Sequence, residues 1–118
     1  MRSGDIYWVN LDPSIGDEIR KKRLVVILNP GHVKHLRLAV VVPVTGWKRQ
    51  WENHPFFVCL EPTPANGIAR KSAVDCFQLR AVSHNRFLEK VGSATEIEMD
   101  KMKMSIALIL DIDPEHCQ

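Results

Sequence analysis

Short apolar segments separated by proline, glycine and asparagine constrain the fold of this 118-residue chain more than any other feature. The segments are rich in β-branched and aromatic side chains, which is typical of strands. The prolines between them remove backbone donors, and both prolines and glycines favour turns. We predict strands at residues 6–11, 24–28, 36–44, 56–60 and 73–82. In the last of these, alternation would place Asp75 and Phe77 on one face.

The C-terminal part of the chain carries the pattern of a helix. Thr95 and Glu98 match the T-x-x-E capping box, in which each side chain accepts a hydrogen bond from an unpaired backbone N–H. An apolar stripe then follows at helical spacing and should pack on the core; it comprises Met99, Met102, Ile106 and Ile109. A short helical turn is also predicted at residues 85–89.

This order of elements predicts a mainly β fold with one C-terminal helix, in the form of a small, closed or nearly closed antiparallel barrel. Alternating βαβ units are absent from the sequence, which disfavours a doubly wound sheet. The length suits one hydrophobic core. We therefore expect a single domain over residues 1–113 and a short tail over residues 114–118.

The cysteines and the hydropathy of the chain indicate the cellular compartment in which it is expected. Cys59, Cys76 and Cys117 are odd in number and form no C-x-x-C motif, which favours free thiols in a reducing environment. The sequence shows no N-terminal apolar region typical of an export signal and no apolar run long enough to span a bilayer, so neither export nor membrane spanning is expected. A cytoplasmic protein without a membrane partner is expected.

Basic residues are concentrated in the first half of the chain. Residues 1–60 contain nine Lys/Arg and five Asp/Glu, whereas residues 61–118 contain seven and nine. Clustered cations attract a phosphate backbone, although a solvated basic face without a partner has the same pattern. The clusters comprise Arg20, Lys21, Lys22 and Arg23, and then Lys34, Arg37, Lys48 and Arg49.

Motifs for nucleotide, metal or serine chemistry are missing. The chain lacks a Walker loop, G-x-G-x-x-G, H-E-x-x-H and G-x-S-x-G. His32 and His35 lie three residues apart, but no further ligands follow at zinc-like spacing. Neither a metal nor a cofactor is therefore predicted.

An ordered series of short motifs runs along nearly the whole chain. It consists of G-D-I-Y-W-V-N-L-D-P at 4–13, G-D-E at 16–18, R-x-V-V-I at 23–27, V-P-V-T at 42–45, P-F-x-V at 55–58, Q-x-R at 78–80 and I-A-L-I-L at 106–110. The series resembles the MazF/PemK toxins. The resemblance implies an SH3-like barrel of the CcdB/PemK type, a homodimer, a cognate antitoxin, and metal-independent, sequence-selective cleavage of single-stranded RNA.

The resemblance also implies catalytic residues. Arg23 would neutralise the charge that develops on the phosphate, and Thr45 would donate a hydroxyl hydrogen bond to it. Family members usually have proline where this chain has Leu24. Several also have an acidic residue, a proposed general base, where this chain has Phe77. The identity of the general base is thus left open. The candidates are Asp75, Glu18 and His84, in that order of preference, and the alternative is that no strong base is used.

Several further residues would bind RNA. Aromatic rings stack on unpaired bases and basic side chains hold phosphates; the candidates are Lys21, Lys22, Trp47, Trp51, Lys48, Arg49, Phe77, Gln78 and Arg80. The segment 45–54, with its two tryptophans, is the predicted determinant of sequence selection. A flexible loop with partly buried tryptophans is the alternative, and Trp8 is expected in the core or at a dimer interface.

Two other functions fit the same sequence. One is a non-catalytic toxin that inhibits a topoisomerase, as related barrels do. The other is an RNA-binding module that has lost catalysis, an interpretation that Phe77 in place of the acidic residue supports.

Overall fold

A computed structural model of the chain describes residues 1–13, 15–18, 21–31 and 36–113. The predicted histidine pair, Cys117 and the tail 114–118 lie outside these ranges. Within them, no helix has the length and apolar character needed to cross a membrane. The elements are β1 (Asp5–Asn10), β2 (Lys22–Ile27), β3 (Leu38–Gly46), β4 (Phe57–Leu60), β5 (Ser72–Asp75), β6 (Arg80–Ser83), β7 (Phe87–Ser93) and α1 (Glu96–Ile109).

The strands form one antiparallel sheet in the order β4-β5-β3-β2-β1-β7, with β6 also paired to β3. The long strand β3 pairs with β6 in its first half and with β5 at its end. The sheet curls into a barrel-like shape, and no ladder between β4 and β7 closes it among the described residues. The predicted fold class, mainly β with a C-terminal helix, is confirmed.

Two hydrophobic clusters cover the two faces of the sheet. Val26 and Val42 belong to the cluster that packs against α1, while Val25 and Val41 belong to the cluster on the other face. All four side chains are buried. A strand buried on both faces needs apolar residues at every position, which explains why β2 shows no alternation in sequence.

The predicted strand 73–82 is wrong as a continuous element. It divides into β5, a 3-10 turn at Cys76–Gln78, and β6. The carboxylate of Asp75 caps this turn by accepting a hydrogen bond from the backbone N–H of Phe77 at 3.1 Å. Because the chain turns here, Asp75 is buried whereas Phe77 is 63% exposed, so alternation does not place them on one face.

A second difference concerns residues 84–93. The predicted helical turn at 85–89 is a 3-10 turn at His84–Arg86, but the chain then continues into β7, which sequence analysis missed. β7 pairs with β1 through a register that shifts twice. Glu89 and Lys90 interrupt its apolar pattern and are exposed. An irregular, half-exposed strand of this kind leaves no period-2 signal.

The helix agrees closely with the prediction. The Thr95 hydroxyl accepts from the Glu98 N–H at 3.1 Å, and the Glu98 carboxylate accepts from the Thr95 N–H at 2.8 Å, which completes the capping box. Met99 and Met102 are buried against the sheet.

Replacing Thr95 with alanine should destabilise the protein by about 1 kcal/mol, because one helix N–H loses its acceptor. For a domain of this size that corresponds to a fall in Tm of roughly 4 °C. Thermal unfolding followed by circular dichroism measures it. Thr95→Ser, which keeps the hydroxyl, is the control, and an equal Tm for all three proteins would contradict a stabilising cap.

Candidate functional site

Arg23 and Thr45 approach each other where β2 begins and β3 ends. In the β2–β3 ladder, Val25 lies opposite Pro43. Arg23 and Thr45 each lie two residues beyond that pair, so alternation places them on the same face of the sheet as Val25 and Pro43. Both residues line one cleft of about 270 Å³. The structure thus brings together the two residues that the resemblance marks as catalytic.

The cleft has a strongly basic lining. Lys22 and Arg23 come from β2, and Arg70 and Lys71 come from the segment that leads into β5; no acidic side chain is among the described residues that line it. Four cations on the lining of one cleft create a positive potential that favours an anionic ligand. Sequence analysis missed Arg70 and Lys71. Only the pairing of β5 with the end of β3 brings them beside residues almost fifty positions earlier.

A second cavity, of about 660 Å³, borders the same face of β3. Pro43 lines it, two residues from Thr45, together with Glu18 and the turn after β5. Three predicted RNA-binding residues belong to that turn and the start of β6, namely Phe77, Gln78 and Arg80. Part of the predicted site therefore lies at two cavities, the basic cleft around Arg23 and this mixed cavity around Phe77.

The three candidate bases are placed differently. The Glu18 carboxylate lies in the second cavity and is exposed, and it accepts from the backbone N–H of Ile15 at 2.7 Å. His84 lines a separate cavity with Arg37 and packs edge-on against Phe87. His84 is therefore not brought to the basic cleft.

Asp75 is committed to its own turn. Its carboxylate accepts from the Phe77 N–H and from the side-chain amide of Gln78, both at 3.1 Å. Burial raises the pKa of Asp75, against the opposing effect of these hydrogen bonds. The described lining of the two cavities does not include it. The side chain thus positions Phe77 and Gln78.

The two tryptophans of the segment 45–54 are both half-buried and make ring contacts. Trp51 stacks on Phe57 with ring centroids 3.7 Å apart, and the ammonium of Lys48 lies 5.8 Å from the Trp51 ring. The Trp47 ring has the ammonium of Lys71 above it at 4.5 Å. These contacts occupy ring surfaces that a base would need, which leaves Phe77 as the most exposed of the predicted stacking residues.

The remaining predicted cations, Arg49 and Lys21, lie outside the described linings of the two cavities. Arg49 is exposed in the 3-10 turn Arg49–Trp51. Lys21 is exposed just before β2, and its backbone adopts a φ of 66°. Its N–H donates to the Asp12 carboxylate at 2.9 Å, and its carbonyl accepts from the Leu11 N–H at 2.9 Å. Neither cation lines the basic cleft.

No alternative chemistry is evident among the described residues. No group of three or more His, Cys, Asp or Glu side chains there is arranged to hold a metal ion. Burial raises the pKa of Cys76 to about 11 and also raises that of Cys59. Both cysteines are therefore neutral thiols near pH 7, which are poor nucleophiles.

The substitution Asp75→Asn should show how burial of this carboxyl affects stability. Because the folded-state pKa is raised, the stabilising contribution is full below the unfolded value of about 3.9 and is lost as pH rises through the folded value. Asparagine does not titrate and can still cap the turn. The free energy of unfolding of the variant, relative to wild type, should thus increase between pH 4 and 7. Urea unfolding at several pH values tests this; a pH-independent difference would contradict it.

Comparison with known proteins agrees with this geometry. Residues 2–110 match the model of a family described as PemK-like, MazF-like toxin of type II toxin-antitoxin system. Endoribonuclease MazF9 of Mycobacterium tuberculosis is 29% identical over 95% of this chain and 98% of its own. The MazF crystal structure from Deinococcus radiodurans superposes with a TM-score of 0.80 at 20% identity, covering 94% of this chain and 96% of that one.

A mycobacterial endoribonuclease in complex with its cognate antitoxin has the same fold, with a TM-score of 0.76 at 17% identity over 96% of this chain and 97% of that one. The family match covers nearly all of the chain, from before β1 to the end of α1. This chain is a member of the PemK-like, MazF-like toxins of type II toxin-antitoxin systems.

Proposed function

We propose that this toxin is an endoribonuclease that cleaves single-stranded RNA, including mRNA, at selected sequences without a metal ion. The observation that carries the proposal is the basic cleft, in which Arg23 and Thr45 share one face of the sheet end. The relatives named as endoribonucleases support the same activity.

The reaction uses a nucleophile that RNA itself carries. The ribose 2′-oxygen loses its proton and attacks the adjacent phosphorus, and the bond from phosphorus to the 5′-oxygen breaks. The 5′-oxygen takes up a proton, which leaves a 2′,3′-cyclic phosphate and a free 5′-hydroxyl. The protein must accept one proton, supply another and stabilise the additional negative charge on the phosphate oxygens.

Arg23 suits the electrostatic part of this reaction. Its guanidinium stays charged and can donate two parallel hydrogen bonds to phosphate oxygens. The Thr45 hydroxyl can donate a further hydrogen bond from the neighbouring strand, which fixes the phosphate in the cleft. Lys22, Arg70 and Lys71 surround this position with positive charge.

The second cavity would hold the bases that flank the cleaved bond. Phe77 is exposed beside Gln78 and Arg80. Stacking of a base on an aromatic ring contributes about 1–3 kcal/mol and requires an unpaired base, which selects single strands. The Gln78 amide and the Arg80 guanidinium can add hydrogen bonds to base edges, which would make them determinants of sequence preference.

Among the candidate bases, Glu18 has the most favourable position. It lies in the cavity that contains Phe77 and Gln78, whereas the Asp75 carboxylate is engaged in capping and His84 lines another cavity. We therefore assign proton acceptance to Glu18 and a positioning role to Asp75.

Two protein partners are also proposed, a cognate antitoxin and a second copy of the chain. The complex of a structurally similar endoribonuclease with its antitoxin supports the first. Small proteins of this kind commonly pair across a two-fold axis, which supports the second. Helix α1 leaves Ile97, Met104 and Leu108 exposed beside a cavity of about 570 Å³. Exposed apolar patches of this type mark protein interfaces.

The two alternative functions have less support. A topoisomerase inhibitor does not require a basic cleft with an arginine and a hydroxyl on one face, whereas an RNA-binding module without catalysis would share that cleft and differ only in leaving the RNA intact. A gyrase supercoiling assay without RNA tests the first alternative, and tight RNA binding without product would support the second.

Replacing Arg23 with alanine should lower the cleavage rate by about 100- to 1,000-fold, the usual effect of losing one preorganised donor at a developing oxyanion. Cleavage of a mixed-sequence RNA oligomer in EDTA, with analysis of the fragment ends, measures it. Lys103→Gln on α1, an exposed cation outside both cavities, is the matched control. Intact RNA with wild-type protein, or full activity of the Arg23 variant, would contradict the proposal.

The proton acceptor can be identified with two isosteric variants. Glu18→Gln should lower the rate about 100-fold or more if Glu18 is the general base, whereas Asp75→Asn should retain activity within a few-fold. The amide of Glu18→Gln keeps an acceptor oxygen for the Ile15 N–H, and that of Asp75→Asn keeps one for the Phe77 N–H but no longer accepts from the Gln78 amide nitrogen. The reverse order of activities would return the base role to Asp75, and two active variants would mean that neither acts as the base.

A further inference from the structure

The wall of the basic cleft opposite β2 is formed by residues 67–72. This wall brings Arg70 and Lys71 into the cleft, and both side chains belong to exposed residues. Neither residue lies in the motif series that indicated the family. The proposed function uses them only as surrounding positive charge, in a cleft where Arg23 holds the reacting phosphate.

The segment that carries these two cations is held rigidly. The Asn66 side chain is buried and makes three hydrogen bonds, accepting from the N–H groups of Thr63 and Ile68 and donating to the carbonyl of Glu61. Gly67 adopts a φ of 67° and packs so closely on Val91 that a Cβ would lie 2.2 Å from its carbonyl oxygen. A segment fixed in this way loses little entropy when it binds a ligand.

Two further hydrogen bonds hold the end of the segment, at residues 70–72. The Ser72 hydroxyl donates to the carbonyl of Arg70 at 2.7 Å, and the Trp47 N–H donates to the carbonyl of Lys71 at 3.3 Å. The backbone at both cations is therefore tied to β3 and β5. The side chains of Arg70 and Lys71 therefore extend from a backbone that these hydrogen bonds hold in place.

Lys71 has a competing anionic partner outside the cleft. Its ammonium lies 3.6 Å from a Glu61 carboxylate oxygen and 4.5 Å above the Trp47 ring. Both partners of the ion pair are about half exposed, with side-chain exposures of 45% and 64%. Exposed pairs of this type are weak, so a second anion in the cleft can draw the ammonium away from Glu61.

We propose that Arg70 and Lys71 form a second phosphate site, which holds a backbone phosphate of the RNA next to the one at Arg23, and that Glu61 weakens this site by competing for Lys71. The proposal rests on the proposed function, since it extends the RNA path from the reacting phosphate across the cleft. The site contributes equally to binding in the ground state and in the transition state.

The experiment measures binding of an RNA oligomer that the wild-type protein cleaves, with 2′-deoxyribose at the cleaved nucleotide to prevent reaction. Fluorescence anisotropy at several KCl concentrations gives Kd and its salt dependence for Arg70→Gln, Lys71→Gln, Glu61→Gln and Glu61→Gln/Lys71→Gln. Lys103→Gln and Glu89→Gln, both exposed and outside the cleft, are matched controls for the change in charge.

Loss of either cation should weaken binding by roughly fivefold, the effect of one exposed ion pair. The slope of log K against log salt should become shallower by about 0.7, the value per phosphate contact on a single strand. With the cleavable oligomer, KM should rise while kcat stays unchanged. Glu61→Gln should tighten binding, and the gain should disappear when Lys71 is also replaced.

Two results would overturn the second phosphate site: salt slopes equal to wild type for both cation variants, or a Glu61→Gln effect that persists without Lys71 or equals that of Glu89→Gln. Both results are meaningful only if the wild-type protein cleaves the unmodified oligomer. Absence of that cleavage refutes the proposed function itself, so the two failures are distinguishable.

Discussion

The antiparallel pairing of β3 with β2 on one side and β5 at its end is the constraint on which the site depends. It aligns Arg23 with Thr45, and the same strand end positions the segment that carries Arg70 and Lys71. These cations repel one another where the fold brings them together. The ladder holds them in place because β2 and β3 are buried on both faces, and a slip of one residue would exchange their apolar side chains between two differently packed cores.

The sequence predicted those parts of the fold in which one local signal dominates. The capping box and apolar stripe of α1 specify a helix with its orientation, and the apolar run of β2 specifies a buried strand. The prediction from sequence failed where a hydrogen bond from a single side chain changes the direction of the backbone. The hydrogen bond from the Phe77 N–H to Asp75 ends β5, although the surrounding residues have ordinary strand propensity. Neither strand propensity nor the alternation of apolar residues predicts that hydrogen bond.

The candidate site divides in a similar way. Arg23 and Thr45 were found through motifs, and the structure brings them to one cleft. Arg70 and Lys71 lie far along the chain, so only the β3–β5 pairing reveals them. The role of Asp75 was inferred from a face that it does not share with Phe77. Predicting such positions requires strand pairing over long sequence separations, which no local pattern encodes.

Phe77 lies at the position where several members of the family have an acidic residue. This difference is consistent with a site in which base stacking and negative charge belong to different side chains. An acidic side chain at this exposed turn would line the second cavity and offset the positive charge of Arg80 there. A phenyl ring instead offers a stacking surface without negative charge. The remaining carboxylates have different surroundings: Glu18 lines the second cavity, Asp75 fixes the turn, and Glu61 pairs with Lys71. In the proposed site, phosphate binding therefore falls to the cleft that Thr45 lines, and proton acceptance falls to the neighbouring cavity that Glu18 lines.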